Sequence, residues 1–323
     1  MDPRPIAMIR NAVKPYRKIG KPGEKAVIIA DTSTDPAIWE TFAMAAQTLG
    51  IEPMIALMVP TKRDYENPPE PVQKMAQAAD IIHFTTRQGL IHSGFGRELS
   101  RSGKKRIISE GVEVQMFTEG AALAEDDEIV AGINKMRPFW DNGKRVKLTT
   151  AAGTNLDISI EGHFSFESAG TQLFKAPSAQ FPGGESACTP AENSGDGVLV
   201  VDAAIHYPHG KLVHPIEIHL QKGKITDIRG GTEADEFRWW VDSYADEEGK
   251  TICELSVGVN PKAKFMGSMR QDRFVLGSFH VGFGMNADVG GTIVSNIHYD
   301  AIMSKPTLII DGKNIIKDGV MLI

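Results

Sequence analysis

Short apolar runs alternate with amphipathic stretches through the first third of the chain. AVIIAD ends at Asp31, and TSTDPAIWETFAMAAQTLG then places apolar residues at helical spacing. Ser33, Thr34 and Asp35 supply a start signal and Gly50 a stop. EPMIALMV follows as a second apolar run. Two apolar runs joined by a helix make a β-α-β unit, which requires parallel pairing. The pattern continues with ADIIHFTT (79–86), a helix over GFGRELSRSG (94–103) and the strand KRIISE (105–110). Residues 1–145 are therefore read as an α/β domain with a parallel sheet.

Beyond Trp140-Asp141-Asn142-Gly143 the period shortens to two. RVKLTTAAGTNLDISIEGH, DGVLVVDAAIHY, HPIEIHLQKGKITDIRGG and PTLIIDGKNIIKDGVML alternate over short spans, with Gly, Asn and Asp at the turns. These are signals of antiparallel strands and hairpins. One helix is predicted to interrupt them over EADEFRWWVDSYADE (233–247). Residues 146–323 are read as a β-rich α+β domain. No internal repeat is evident, and neither a Gly-x-Gly-x-x-Gly turn after the first strand nor a Walker-type loop is present, so a nucleotide fingerprint is missing.

Composition narrows the function classes. The 323 residues are 41% hydrophobic and 24% charged, with a formal charge of -6. A net acidic chain argues against nucleic acid as a partner, and Lys104-Lys105-Arg106 runs straight into Ile107-Ile108, as a solvated strand entry would. Two cysteines, Cys188 and Cys253, are too few for a disulfide framework, suit a reducing compartment and are expected to be small buried thiols. MDPRPIAMIRNAVKPYRKIG lacks the apolar core of a signal peptide, and no stretch reaches the length of a membrane span. A cytoplasmic protein without membrane partners is expected.

Metal-ligand residue types gather in the second domain. His280 lies in GSFHVGFG, and His298 and Asp300 lie in NIHYD. In an extended NIHYD, positions i and i+2 project to one face, so His298 and Asp300 can converge on an ion while Tyr299 points away. Glu254 sits in the apolar run TICELSVGVNP and Glu185 in FPGGESACTP. A carboxylate buried alone in a strand costs several kcal/mol, so Glu254 needs a partner. Five ligands exceed the need of one tetrahedral zinc and suit two ions about 3.5–4 Å apart that lower the pKa of a bridging water and polarise a carbonyl.

The series GTNLDISIEG, FPGGE, GDGVLVVD, CELSVGVNP, HVGFGMNADVGG, HYD and PTLIIDGKNIIKDGV resembles the thermophilic metalloprotease family of aminopeptidase T and aminopeptidase S type, over most of residues 145–323. That resemblance implies a dinuclear site built from Glu185, Glu254, His280, His298 and Asp300. It also implies a tyrosine shortly after the first metal histidine, whereas this chain reads VGFGMN, with Phe283 lacking a hydroxyl and Asn286 the nearest polar group. The shorter length is similar to a divergent branch that includes 2,5-dihydroxypyridine 5,6-dioxygenase. That branch keeps the His-x-Asp pair and completes a mononuclear iron triad with a histidine at the position of Glu254; a His280, His298 and Asp300 triad is a further arrangement of the same kind.

Two readings result. The leading expectation is a metallohydrolase of amide-type bonds in a small molecule, using zinc, manganese or cobalt, with one or two ions. Glu185 or Glu254 would act as bridge or base. The alternative is an Fe(II)-dependent ring-cleaving dioxygenase acting on a hydroxylated pyridine or related aromatic. TTRQGLIHSGFGREL resembles the superfamily loop in which a His-Ser or His-Thr pair opens a helix, which implies that His92 and Ser93 serve the substrate, His92 in catalysis; Asn286, the polar group nearest the missing tyrosine, is a further substrate-contact candidate. The resemblance further implies a homodimer. His206, His209, His214 and His219 fall at spacings that share no single face and are expected to be solvated strand residues, and Trp239-Trp240 to serve packing.

Overall fold

A computed structural model describes residues 4–162, 165–167, 178–207, 210–287 and 291–323. In chain order the first elements are α1 (Arg4–Ile19), β1 (Lys25–Asp31), α2 (Pro36–Thr48), β2 (Glu52–Met58), α3 (Glu70–Ala78), β3 (Ile81–Phe84), α4 (Gly94–Ser102) and β4 (Lys105–Ile108). Next come α5 (Asp126–Asn142), β5 (Arg145–Thr149), β6 (Asn155–Ser159), β7 (Ser165–Glu167), β8 (Ser178–Gln180), β9 (Glu185–Cys188), β10 (Asp196–Val201) and β11 (Ala204–Ile205). The remainder are β12 (Ile216–Gln221), β13 (Lys224–Arg229), α6 (Thr232–Asp242), β14 (Ile252–Gly258), α7 (Met269–Asp272), β15 (Phe279–Gly284), β16 (His298–Met303), β17 (Thr307–Ile310), β18 (Lys313–Lys317) and β19 (Val320–Met321).

These elements form two compact units, Met1–Leu123 with Ser168–Gly183, and Ala124–Glu167 with Gly184–Ile323. The first is α/β. Its five-stranded sheet, in the order β2-β1-β3-β4-β8, is parallel throughout. Ile28 faces the apolar sides of α1 and α2 through Tyr16 and Phe42, while Val27 and Ile29 face α3 and α4 through Ala76, Phe95 and Leu99. Burial on both faces explains why the central strands β1 and β3 read as continuous apolar runs. The sequence start signal holds: Asp35 caps α2 by accepting from the Ala37 amide at 2.9 Å, and Gly50 takes a positive φ of 70° just beyond the helix. Helix α1 was not predicted, although Met8, Ala12, Tyr16 and Ile19 line one side of it and are buried.

The second unit is α+β, with two antiparallel sheets. One has eight strands in the order β13-β12-β10-β6-β5-β17-β18-β19 and the other six in the order β11-β16-β15-β14-β9-β7. A single cut near residue 145 differs from this partition. Helix α5 belongs with the second unit, and β8 returns to the first because it pairs in parallel with β4. Neither relation is local in sequence. Helix α6 ends at Asp242, short of the predicted residue 247, because the chain turns at Ala245 with φ of 49°. Among the described residues, no helix is long and apolar enough to cross a membrane.

Candidate metal centre

Strand pairing alone gathers the five sequence-predicted ligands. Residues directly opposite in an antiparallel ladder share a face. On β15 and β16, Gly282 opposes Asp300 and Gly284 opposes His298; on β14 and β15, Glu254 opposes Gly282 and Ser256 opposes His280; on β9 and β14, Glu185 opposes Gly258. By this parity Glu185, Glu254, His280, His298 and Asp300 all lie on one face of the six-stranded sheet. The other face is apolar: Tyr299 stacks on Phe283 at 5.3 Å and meets Phe237 and Trp240 of α6 edge-on at 5.5 Å each. His298-Tyr299-Asp300 is thus extended as the sequence indicated, with Tyr299 turned away from the ligands.

One irregularity aims Glu254. Ile252 opposes Phe283 on the apolar face, so simple alternation would send Glu254 there too. The register shifts between these two residues, making Cys253 the extra residue of a β-bulge, and Glu254 moves to the ligand face. The Cys253 carbonyl accepts a hydrogen bond from Asn286 Nδ2 at 3.1 Å, and Asn286 Oδ1 in turn accepts from the Ile293 amide at 2.9 Å. Gly282 then forms the floor: a Cβ there would lie 2.8 Å from Glu254 Cβ and 3.4 Å from both Asp300 Oδ1 and His298 Cε1.

The ligand atoms fall into two adjoining groups that share Glu254. Glu185, Glu254 and His280 form one, and Glu254, His298 and Asp300 the other, with the atoms of each group within 4.8 Å of one another. His298 Nε2 is 3.2 Å from Asp300 Oδ1 and 3.8 Å from Glu254 Oε2; His280 Nε2 is 3.2 Å from Glu254 Oε1, 3.7 Å from Glu185 Oε2 and 4.0 Å from Asp300 Oδ1. His298 Nδ1 lies 2.8 Å from the Met285 carbonyl, a contact only an N–H can satisfy. That bond orients the ring so that Nε2 is the nitrogen presented to the carboxylates.

Burial opposes charge on both imidazoles. The surrounding groups outweigh it, Asp300, Glu254 and Glu185 at His280, and Cys253 and Asp300 at His298, so both pKa values rise, that of His298 well above the ordinary value. Burial would also raise Asp300, yet His280, His298 and Arg273 hold its carboxyl well below the usual range. Glu185 goes the other way, pushed up by burial against the pull of Arg273 and His280. A divalent ion held here would compete with protons for the same imidazole nitrogens and carboxylate oxygens.

Arg273 escaped the sequence reading. It is buried, donates from Nη1 to Asp300 Oδ2 at 2.9 Å, and its Nε lies 3.7 Å from Glu185 Oε2. Its one local signal is a cation in QDRFVLG, running into Phe274-Val275-Leu276. The set fits a divalent metal on three counts. Glu185 Oε2 and Asp300 Oδ1 are buried without hydrogen-bond partners among the described residues, the Gly282 cradle has no room for a Cβ, and the donors are imidazole nitrogen and carboxylate oxygen.

Residues 18–323 match the family model of 2,5-dihydroxypyridine 5,6-dioxygenase. The chain belongs to that family. It is 25% identical over 282 residues to the 2,5-dihydroxypyridine 5,6-dioxygenase of Pseudomonas putida, covering 76% of this chain and 72% of the relative. The solved structure of 2,5-dihydroxypyridine dioxygenase from Pseudomonas putida superposes with a TM-score of 0.79 at 18% identity, covering 98% of this chain and 96% of that one. AmpT from Thermus thermophilus gives 0.72 at 12% identity, covering 98% and 99%. Both structures share the fold.

Membership of the 2,5-dihydroxypyridine 5,6-dioxygenase family corrects the leading sequence expectation. The hydrolase reading, with its aminopeptidase-like and metalloprotease character, rested on the identity of the five-ligand set and on the order of its motifs. AmpT and the dioxygenase both share the fold that carries those motifs, so their order does not discriminate between the two chemistries. Phe283 lies on the apolar face against Tyr299.

Other predicted site residues have local roles. Ser93 caps α4, its Oγ accepting from the Gly96 amide at 3.0 Å, and His92 meets the Tyr65 ring edge-on at 5.2 Å; both belong to the first unit. Asn286 holds the Cys253 bulge from within the second unit. Both cysteines are buried free thiols, with burial pushing Cys253 up to about 11. His214 is exposed beside Glu233 and His219 partly exposed beside Glu217, whereas His206 is buried and stacks on Trp240 at 5.6 Å, contrary to expectation. His209 lies outside the described residues. Trp240 packs as expected, and Trp239 is exposed.

Proposed function

We propose that the chain is an Fe(II)-dependent ring-cleaving dioxygenase acting on a hydroxylated pyridine or a closely related hydroxylated aromatic. The observation that carries this reading is the buried Glu254, His298 and Asp300 group, with ligand atoms within 4.8 Å of one another, in a chain that matches the 2,5-dihydroxypyridine 5,6-dioxygenase family model from residue 18 to 323. In this reading those three residues would hold the ion, one histidine with two carboxylates where the facial triad of non-haem iron oxygenases has two histidines and one carboxylate. The position that resemblance assigns to histidine in the dioxygenase branch is here a glutamate.

A ferrous ion held by these residues would supply the unpaired electrons that lift the spin barrier between ground-state oxygen and a closed-shell ring, while the ring itself would give up the electrons that reduce oxygen. The protein does the rest. Asp300 is held through its outer oxygen Oδ2 by Arg273, which keeps Oδ1 directed at His298. His280 holds Glu254 through Nε2 and lies on the same face. Burial of the whole set limits water and strengthens each of these interactions.

The test supplies ferrous iron, a dihydroxypyridine and isotopically labelled oxygen, and follows the product by mass spectrometry. Both labelled atoms in a ring-opened acid are expected. A ring-opened product that takes its oxygen only from water would overturn the reading.

A further inference from the structure

Among the described residues, β2 is the outermost strand of the parallel sheet and pairs with β1 alone. The Glu52 amide donates to the Glu24 carbonyl at 2.9 Å, and the Met58 carbonyl accepts from the Thr32 amide at 3.0 Å, so the even-numbered residues of β2 turn their backbone groups toward β1. By alternation Ile55, Leu57 and Val59 turn theirs outward. Their side chains lie on the α2 side of the sheet, because Ile55 pairs with Ile28, and are 38, 52 and 76% exposed; Met44 of α2 is 40% exposed. The other sheet edges are defended by shortness or charge. Strands β7, β8, β11 and β19 have no more than three residues, and β13 carries Lys224, Asp227 and Arg229. In contrast, β2 has seven residues, with no charged position between Glu52 and Lys62.

We propose that β2 is the surface on which a second copy of this chain docks, strand against strand, about a two-fold axis at Leu57. Antiparallel pairing of β2 with itself sets Leu57 opposite Leu57 of the second copy and Ile55 opposite its Val59, and the outward N–H and C=O groups of each pair bond to one another. The apolar side chains of both copies then cover each other on the face that carries α2 and Met44. Charge selects the same register. It sets Glu52 opposite Lys62 of the second copy at both ends of the ladder, a favourable cross-strand pair. Shifting the register toward the start of β2 sets Pro53, which has no N–H, against Val59 or Leu57 and leaves that residue's carbonyl without a donor. Shifting it the other way sets Glu52 against Asp64 in place of Lys62.

Sedimentation equilibrium of the full-length protein over a range of concentrations reads this association directly. The wild type is expected as a dimer or a multiple of dimers. Leu57→Lys, which sets two ammonium groups against each other at the axis, should halve the particle mass with circular dichroism unchanged. Val59→Lys, at the most exposed position of the strand, should do the same if Leu57→Lys disturbs folding. Charge exchange tests the register: Glu52→Lys alone should weaken association by roughly tenfold, because an attractive pair becomes repulsive at each end, and Glu52→Lys combined with Lys62→Glu should restore it. A wild type that stays monomeric would overturn pairing with a second copy and leave the edge to an extended segment of another protein. Wild-type mass in both folded lysine variants, or no restoration by the double exchange, would overturn the pairing at Leu57.

Discussion

Glu254 stands directly opposite Gly282 across the pairing of β14 with β15, and it does so only because Cys253 is bulged out of register. The pair explains how a sheet face can carry five ligand side chains without crowding. Gly282→Ala would put a methyl group 2.8 Å from Glu254 Cβ and 3.4 Å from Asp300 Oδ1. The expected outcome is a drop of at least about tenfold in metal affinity, as when supporting residues of a metal site are changed. Metal content of gel-filtered protein, compared with the wild type at equal circular dichroism, checks this; unchanged affinity would mean that the carboxylates bind elsewhere.

Asn286 is expected to act through the bulge. Asn286→Ala removes the donor to the Cys253 carbonyl and strands a buried acceptor, at a cost of ~1–3 kcal/mol. Urea unfolding should show that loss, and metal affinity should fall with it because Glu254 is no longer held on the ligand face. A variant with wild-type stability would remove the bulge from the account of the site.

His83 gives the first unit a pH dependence of its own. It is fully buried in β3, with Nδ1 2.8 Å from the Tyr16 hydroxyl and Nε2 2.8 Å from Ser109 Oγ, and burial pushes its pKa well below the ordinary value. The folded state therefore keeps His83 neutral while the unfolded chain protonates below about pH 6.5. Stability from this group is intact above that value and is lost as pH falls toward the depressed folded pKa, by up to about 1.4 kcal/mol per pH unit. Metal-free protein unfolded in urea at pH 7.5 and 5.5 should lose more stability over this interval than His83→Gln does; equal losses would exclude His83 as the source.

Much of this architecture was legible because it depends on local patterning. AVIIAD is a strand buried on both faces, EPMIALMV and KRIISE are apolar strands beside it, and His298-Tyr299-Asp300 is extended, so the pairing of His298 with Asp300 followed from a period of two. What was hidden is non-local. The return of β8 to the parallel sheet depends on pairing with β4, more than 70 residues earlier in number, between Arg106 and Ser178. The convergence of Glu185, Glu254 and His280 depends on the order of strands in a sheet. The bulge at Cys253 and the reach of Arg273 into the ligand set leave no periodic trace. The reaction was hidden for a different reason: the ligand motifs belong to a fold shared with AmpT, and only the family match over nearly the whole chain separates the chemistries.

The measurement that bears most directly on the central claim is oxygen consumption by protein reconstituted anaerobically with ferrous iron and given dihydroxypyridines. The expected result is oxygen uptake in equal amount to substrate lost, abolished by chelation and by His298→Ala, with the variant still folded. No uptake across hydroxylated pyridines and related aromatics, or uptake that survives His298→Ala, would contradict the assignment of oxygen chemistry to this centre.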